Sequence, residues 1–434
     1  MFTLHQRVRR RLCQACFCLL CALPTTGLLA WTGVLRSSAH RSDCRQQLSR
    51  LLGMEARFDR VRYPQPGQTL YEAVELSDAE TGQWILRCRT LEVSKNGHKF
   101  ALAPTDVEVS AAHAHRLVQL VVRRLTRELP GDEPVWFVPT NVTLKSASTA
   151  QTYEDVECRI ESQAELAAAA IRFRLPEAEA GEAPVLSIGR QRGNDGATTT
   201  VRLDSYGSLL PVSIFRPWLD LRTLVGDHAT FCGSVAVRQV SNTWSWEATG
   251  SMDGIDLEVL VAQRFPHHLA GVARLRIDEA RFERGRLTAA SGELACPAGT
   301  IGGPLLVAAV ESLRCKTIEL PGGRLPFAAD KNHPFRELAL RFRIDEGGLS
   351  LATGRDGQAA DALLLDDRGD ALLFPPSVGA VPLMAFIRAL VPDSTIQVPA
   401  TKETAALQSW LPLPSVVPPP HAGPAAPPLR IEAD

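Results

Sequence analysis

Residues 340–351 read Leu-Arg-Phe-Arg-Ile-Asp-Glu-Gly-Gly-Leu-Ser-Leu, and this stretch decides the fold. Apolar and charged residues alternate strictly over 340–345, and successive side chains of a β-strand point to opposite faces of a sheet. The residues from Asp345 to Gly348 have the composition of a hairpin turn. The stretch therefore predicts a β-hairpin with one apolar face and one charged face in contact with water.

The same alternation recurs at 171–175 and 275–278, and a second turn composition lies at 367–370 between apolar runs. In all we count about twenty strand-like runs. With 30 prolines and 31 glycines, the composition also favours many chain reversals. The sequence thus predicts a mainly β protein. The inward-facing positions of its alternating strands are our candidates for an apolar lining: Phe173, Leu275, Ile277, Leu340, Phe342 and Ile344.

The N-terminus carries an uncharged run at 12–35 that follows several arginines. As a helix this run reaches about 36 Å, enough to cross a hydrocarbon core of about 30 Å. We expect a retained signal anchor, with a cleaved signal peptide as the alternative, because small residues at 37–39 suit cleavage. The anchor residues are Leu12, Leu19, Leu20, Leu28, Leu29, Trp31 and Leu35.

These features predict four segments along the chain. Residues 1–11 form a basic cytoplasmic stub, and 12–35 form the transmembrane signal anchor. Residues 36–410 form an extracytoplasmic β region with a sub-boundary near 111–134, and the proline-rich tail at 411–434 is disordered. The N-terminus is placed in the cytoplasm because long C-terminal domains are exported largely regardless of flanking charge.

Helices are predicted to be few and short. Residues 42–53 read as an amphipathic helix just outside the membrane, and 111–129 form a helix with an apolar stripe and a basic side. Four shorter helices are predicted as pads on the sheet, at 214–225, 257–265, 304–313 and 383–391.

Composition and motifs exclude several function classes. A formal net charge of −1 gives no basic patch for nucleic acid. Four of the ten cysteines lie inside the membrane span, and the other six have no metal-binding spacing. His267 and His268 are adjacent and point apart, and the glycine-rich stretch 189–196 lacks the lysine of a phosphate loop. We therefore expect no enzyme activity, no metal and no cofactor.

Residues 261–306 resemble a repeat of the AsmA-like envelope proteins. In that family a strand with small and apolar positions leads to a second strand and then to a helix over the sheet. The positions that match are Leu269, Gly271, Leu275, Ile277, Phe282, Gly285, Arg286, Leu287, Gly292 and Leu294. Residues 51–93 and 244–261 also resemble the family, whereas the chain after about 330 matches only as generic hairpins.

This resemblance implies an elongated, twisted antiparallel sheet curled into a groove, similar to that of chorein-type bridge-like lipid transfer proteins. It implies an inner-membrane protein with a periplasmic bulk that binds or transfers phospholipid acyl chains. The proline-rich tail would then dock an envelope partner. The same alternation would equally build a closed β-sandwich, so a β-rich scaffold or interaction protein remains the alternative.

Overall fold

The hairpin at 345–348 forms as predicted in the computed structural model, where Asp345 pairs with Gly348 and Phe342 pairs with Leu351. The structure describes residues 10, 14–78, 81–97, 99–125, 134–145, 150–162, 166–176, 182–193, 196–215, 221–240, 243–318, 325–354, 361–377 and 379–391. Over these residues the protein is mainly β, with 22 strands. The chain divides into two compact units, Met1–Ser208 with Ile214–Leu219 and Leu209–Ser213 with Asp220–Asp434. The segment 111–134 lies inside the first unit, so this division is C-terminal to the expected sub-boundary.

One helix among the described residues, Gln14–Leu35, is long and apolar enough to cross a membrane. It consists of a short helical stretch, a π-helical turn at Cys18–Ala22 and helix α1 at Leu23–Leu35. Pro24, near the start of α1, has no N–H to donate, which accounts for the local change of pitch. Most side chains of the predicted anchor are exposed, with Leu20 at 71%, whereas Leu35 is half-buried. Leu12, most of the basic stub and the tail at 411–434 lie outside the described residues.

Helix α2, Ser38–Leu52, follows the apolar helix Gln14–Leu35 after two residues. Ser37 caps its N-terminus by accepting a hydrogen bond from the backbone N–H of His40, and Gly53 ends it with a φ of 70°. This cap explains why the helix begins four residues before the predicted start at residue 42. Cys44 and Leu48 are its buried side chains.

The described residues of the first unit form a sheet built from twelve strands. They are β1 (Glu55–Arg57), β2 (Arg60–Arg62), β3 (Gln68–Ser77), β4 (Trp84–Asn96), β5 (Lys99–Thr105), β6 (Val107–Ser110), β7 (Val135–Phe137), β8 (Asn141–Lys145), β9 (Ala150–Ser162), β10 (Leu166–Arg174), β11 (Val185–Gly193) and β12 (Gly196–Asp204). At three places two short strands follow one another along the same neighbouring strand. Strand β3 pairs with β1 and β2, β4 pairs with β5 and β6, and β9 pairs with β7 and β8. From β9 onward each strand pairs with the next.

One place in this sheet is parallel, whereas an antiparallel sheet was predicted throughout. Strand β5 runs parallel to β7, and β6 runs parallel to β8. Helix α3, Ala114–Leu125, lies between these strands in the sequence, after a 3₁₀ turn at Ala111–His113. A parallel step requires such a crossover connection. The predicted helix at 111–129 is therefore the crossover, and its last four residues lie outside the described part of the chain.

In the second unit, every strand pair within the sheet is antiparallel among the described residues. The strands are β13 (Leu210–Pro211), β14 (Thr230–Val240), β15 (Thr243–Asp256), β16 (Leu269–Glu283), β17 (Arg286–Cys296), β18 (Gly299–Gly302), β19 (Asn332–Asp345), β20 (Gly348–Thr353), β21 (Leu364–Asp366) and β22 (Ala371–Leu373). Strands β17 and β18 form one interrupted strand between β16 and β19. Beyond β19, β20 and β21 share the next position.

The helices of the second unit are short. They are α4 (Arg222–Val225), a π-helical turn at Glu258–Ala262, α5 (Gly303–Glu311) and α6 (Leu383–Leu390). Each lies in a segment predicted to be helical. The predicted helix at 214–225 forms only the end of a 3₁₀ turn and the short helix α4. Residues 216–220 of that segment are outside the described part of the chain. Leu306 of α5 has no exposed surface and belongs to the same buried cluster as Phe335 and Leu364 of the sheet.

Candidate functional site

An apolar cavity of about 260 Å³ lies between the sheet of the first unit and helices α2 and α3. Aliphatic and aromatic side chains form nearly all of its wall. They are Leu51, Leu52, Met54, Leu76, Leu86, Leu102, Val107, Val109, Leu117, Leu120, Val121, Val135, Phe137, Val142, Val156, Ile160 and Ile171, joined by Cys158 and Arg124. Such a wall attracts apolar groups through burial rather than through directional bonds.

Helix α3 covers the cavity with one stripe of its surface. Leu117, Leu120, Val121 and Arg124 lie at spacings of three and four residues, so they share one face of the helix. The guanidinium Nη1 of Arg124 donates to the carbonyl oxygen of Leu51 at 2.7 Å. This bond ties α3 to the last turn of α2, where the backbone carbonyls have no helical partner.

The strand register explains how the sheet supplies the opposite wall. Val135 pairs with Ile160, and Phe137 pairs with Cys158. Ile171 of β10 also pairs with Cys158. Directly paired residues present their side chains to the same face of a sheet, so three neighbouring strand positions contribute to one apolar surface.

Cys158 behaves as an apolar member of this wall. Desolvation by burial, together with the neighbouring Glu157 carboxylate, raises the pKa of the Cys158 thiol to about 12. The thiol is therefore neutral at physiological pH, and buried neutral thiols resemble small hydrophobic side chains. No reactive thiolate is formed at this position in the folded protein.

An aromatic pair continues the inner face beyond the cavity. Tyr153 pairs in register with the cavity residue Val142, and its ring contacts Phe173 edge-on at 5.5 Å between centroids. Phe173 lies two residues after Ile171, so both share one strand face. The hydroxyl of Tyr153 is buried and has no hydrogen-bond partner among the described residues. Burial raises the pKa of this phenol, which keeps it protonated.

The cavity lies close in sequence to the apolar N-terminal helix Gln14–Leu35. Only Arg36 and Ser37 separate α1 from α2, and the last turn of α2 supplies Leu51 and Leu52 to the cavity wall. Helix α2 has 15 residues, which corresponds to about 22 Å. The chain therefore connects the apolar span to the apolar cavity through one short helix.

The predicted lining residues separate between the two units. Phe173 is buried in the first unit, two residues after the cavity residue Ile171, whereas the other five lie in the second unit. There, Leu275 pairs with Leu294, which pairs with Leu340. In the next row of the same face, Ile277 and Phe342 both pair with Gly292.

These five side chains are half-buried, and helices lie nearby. Leu275 and Leu340 pack against the buried cluster that includes Leu306 of α5. Phe342 and Ile344 pack with the cluster that includes Ile387 of α6. The structure thus places five of the predicted residues on one face of the sheet, on strands β16 and β19, with β17 between them.

The cavity itself was not predicted as a site. The apolar stripes of the helices at 42–53 and 111–129 are visible in the sequence, and those stripes are the available signal. What they do not reveal is that Leu51 and Leu120 border one space. That juxtaposition depends on the parallel crossover.

The two adjacent histidines and the glycine-rich stretch lie in different units of the chain. His267 and His268 bond to different partners, the carbonyl oxygen of Ala389 at 2.8 Å and the hydroxyl of Thr300 at 2.7 Å. Among the described residues, no group of three or more His, Cys, Asp or Glu side chains is placed to hold a metal ion. The glycine-rich stretch 189–196 belongs to a hairpin in which Gly193 pairs with Gly196.

Near the apolar N-terminal helix, His40, Cys44 and Tyr63 form a small polar cluster. The phenol oxygen of Tyr63 lies 2.6 Å from Nε2 of His40 and 3.5 Å from Sγ of Cys44. Because Tyr63 follows β2, these contacts attach the strand region to α2. The cluster therefore has a clear positioning role for the helix that borders the cavity.

Comparison with protein-family models and with curated proteins gives no match to this chain.

Proposed function

We propose that this protein is a single-pass, membrane-anchored lipid-binding protein whose first unit accepts a phospholipid acyl chain in its apolar cavity. The observation that carries the proposal is the cavity of about 260 Å³ between α2, α3 and the sheet. An apolar cavity of about 150 Å³ in a protein core stays dry and binds benzene. The larger cavity has room for a longer stretch of hydrocarbon.

The energetics favour exchange with a membrane. Transfer of each methylene group from water to an apolar site contributes about 0.8 kcal/mol. A bilayer offers an acyl chain a similar environment, so moving the chain between bilayer and cavity changes the free energy little. We therefore propose that the protein binds or transfers acyl chains near the membrane, with no catalytic step and no cofactor.

The proposed location follows from the N-terminal helix and from the resemblance to AsmA-like proteins. Gln14–Leu35 would anchor the chain in the inner membrane, with the N-terminus cytoplasmic and the bulk periplasmic. The apolar face of the sheet would form a groove that α2 and α3 border. The tail at 411–434, outside the described residues, is proposed to dock an envelope partner.

A second candidate function is favoured by the second unit. Leu306 and Leu364 have no exposed surface, and Ile387 is buried where α6 packs. A face covered in this way matches the closed β-rich scaffold, which would present its charged outer surface to a partner protein. The two functions are compatible within one chain, because each is argued from a separate unit.

The lipid-binding proposal is tested by filling the cavity. Leu120→Trp places an indole at a half-buried position of the cavity wall, whereas Gln119→Trp adds the same side chain to the exposed side of α3. Each full-length protein is exchanged from detergent into amphipol, incubated with phospholipid vesicles and re-isolated. Bound phospholipid is then counted by mass spectrometry.

We expect the wild type and Gln119→Trp to retain phospholipid and Leu120→Trp to retain much less. Thermal unfolding of all three proteins checks that the substitution has not unfolded the first unit. Folded wild-type protein that retains no phospholipid, or equal retention by all three folded proteins, would refute the proposal.

A further inference from the structure

The cluster of His40, Cys44 and Tyr63 brings three atoms that can bind a metal ion into mutual contact. Nε2 of His40 lies 3.6 Å from Sγ of Cys44 and 2.6 Å from the phenol oxygen of Tyr63. That oxygen lies 3.5 Å from the sulfur. An imidazole nitrogen, a thiol sulfur and a phenol oxygen therefore form one small triangle. The first two are the commonest nitrogen and sulfur ligands of metals in proteins.

Helix α2 fixes the separation of two of these atoms. His40 and Cys44 are four residues apart, so their side chains share one face of the helix. Two ligands at this spacing on one helix can reach the same ion, as the paired histidines of helical zinc sites do. The hydroxyl of Ser37 accepts a hydrogen bond from the backbone N–H of His40 at 3.2 Å, which orders the turn that carries the imidazole. The backbone therefore holds the nitrogen and the sulfur in place.

The distances within the triangle agree with tetrahedral zinc coordination. Zinc lies about 2.3 Å from a sulfur ligand and about 2.0–2.1 Å from a nitrogen or oxygen ligand, which separates the sulfur from the nitrogen or oxygen by about 3.5 Å. The two observed separations from Sγ of Cys44 are 3.6 Å and 3.5 Å. The nitrogen and oxygen should be about 3.3 Å apart, so the phenol oxygen must move outward from 2.6 Å by less than about 1 Å. Tyr63 is 42% exposed and can make this shift.

We infer that His40, Cys44 and Tyr63 form a zinc-binding site, with Nε2, the Cys44 thiolate and the phenol oxygen as three ligands and a water molecule as the fourth. On binding, the proton of the Cys44 thiol is released to solvent, and His40 coordinates as a neutral imidazole. Mixed sulfur and nitrogen donors favour zinc over magnesium and calcium, which prefer oxygen ligands. None of the three residues lines the apolar cavity, so the inference is independent of lipid binding.

The site has an entry path and a structural consequence. Cys44 is only 5% exposed, but the ion can approach from the side of Tyr63, which is in contact with solvent. The bound ion connects α2, which supplies two ligands, to the segment that follows β2, which supplies the third. Zinc binding therefore stabilises the position of α2 on the strands, in addition to the hydrogen bonds already present there.

The test uses Co²⁺ and Zn²⁺ as probes on the full-length protein in dodecyl maltoside. Thiols of the N-terminal helix would also bind these ions, so all proteins carry alanine in place of Cys13, Cys16, Cys18 and Cys21. Titration with CoCl₂ should produce the intense visible bands of tetrahedral cobalt and an ultraviolet thiolate-to-cobalt band. ZnCl₂ should abolish both sets of bands by displacement, and native mass spectrometry should count one zinc ion per chain.

The variants remove one ligand at a time. Loss of an outer-shell partner already lowers metal affinity about 10- to 100-fold, so Cys44→Ala should lower the affinity at least about 100-fold and abolish the thiolate band. Tyr63→Phe keeps the ring and removes only the oxygen, and should lower the affinity about 10- to 100-fold. The control is Cys88→Ala, which removes a thiol that is equally buried, at 5%, and belongs to the same apolar cluster. It should bind cobalt and zinc as the background protein does.

Thermal unfolding of each protein checks that the substitutions leave it folded, and Tyr63→Phe carries the test if Cys44→Ala does not fold. A folded background protein that gives no tetrahedral cobalt spectrum and retains no zinc would overturn the inference. Equal cobalt affinity in the background protein and in folded Cys44→Ala or Tyr63→Phe would also overturn it, because the ion would then bind elsewhere or without the phenol. The hydrogen bonds of the cluster would in that case be its whole role.

Discussion

Nε2 of His267 lies 2.8 Å from the carbonyl oxygen of Ala389, and this contact joins parts of the chain that are 122 residues apart. His267 is 5% exposed and precedes β16, while Ala389 lies in the last turn of α6. The imidazole N–H donates to a carbonyl that the helix leaves without a partner. His267 therefore fixes the end of α6 on the second unit.

The first prediction concerns this contact. His267→Ala should leave the Ala389 carbonyl without its donor and destabilise the docking of α6 by about 1–3 kcal/mol. Hydrogen exchange of the backbone amides of 383–391 should become faster, while the amides of β16 and β17 change less. The comparison variant is His268→Ala, which removes a half-buried bond to Thr300 instead. Equal exchange of α6 in both variants would show that His267 does not hold the helix.

The second prediction distinguishes a covered face from an open one in the second unit. Phe342→Asp places a carboxylate beside the buried cluster that includes Ile387, and we expect the unit to lose about 2–4 kcal/mol of stability. Thermal unfolding and limited proteolysis measure the loss. Arg343→Asp makes the same change at the next, exposed residue and should cost much less.

Phospholipid retention completes that comparison. If Phe342→Asp stays as stable as Arg343→Asp and the protein loses bound phospholipid, the second unit has an open lipid-binding face. Its assignment as a closed scaffold would then be wrong.

The third prediction concerns a close approach of strands β14 and β15. Gly250 of β15 pairs with Gly233 of β14, and its φ is 139°. A Cβ atom on Gly250 would lie 2.2 Å from the carbonyl oxygen of Cys232. Gly250→Ala should therefore destabilise the second unit by about 3 kcal/mol or more, from backbone strain and steric overlap. Chemical denaturation measures this change.

Gly189→Ala is the matched control, because nothing lies within 4 Å of the position its Cβ would occupy and its φ is ordinary. It should change stability little. A Gly250→Ala protein as stable as Gly189→Ala would contradict the close approach of β14 and β15.

The fourth prediction is a pH dependence. Burial raises the pKa of the Cys88 thiol from its ordinary 9.0 to about 12. Between these values the folded chain holds a proton that the unfolded chain has lost, so stability falls as the pH rises. Below pH 9 this group has no such effect. The free energy of unfolding, measured by denaturant titration, should fall less steeply above pH 9 in Cys88→Ala than in the wild type. Equal slopes would show that the thiol is not desolvated.

Local patterns in the sequence predicted the hairpins well. The turn at Asp345–Gly348 and the turn at 367–370 form where the glycines and aspartates place them. In the second of these, Asp366 Oδ1 accepts hydrogen bonds from the backbone N–H groups of Arg368 and Asp370. Such turns depend on four or five neighbouring residues, so sequence alone determines them.

The features that the sequence did not predict depend on distant residues. The parallel pairing of β6 with β8 and the meeting of Leu51 with Leu120 at one cavity both require the crossover. The apolar residues of 275–277 and 340–344 share one face of the sheet. Whether such a face is open or covered depends on where α5 and α6 pack, and no periodicity encodes that position.

The unpartnered hydroxyl of Tyr153 is also invisible in the sequence. Residues around it alternate irregularly, because the positive φ of Asp155 displaces the pattern by one residue. A tyrosine in a strand is common and usually lies half-exposed with a wet hydroxyl. Only the folded structure shows that this one is buried, with its ring against Phe173.

Photo-crosslinking is the most direct test of whether the cavity of the first unit holds an acyl chain. Full-length protein in nanodiscs that contain phospholipid with a diazirine on one acyl chain is irradiated, digested and mapped by mass spectrometry. If the cavity holds an acyl chain, crosslinks should map to cavity residues such as Leu120, Phe137 and Ile160, in addition to Gln14–Leu35, and the cavity crosslinks should be lost in Leu120→Trp. Crosslinks confined to Gln14–Leu35 would contradict acyl-chain binding in the cavity.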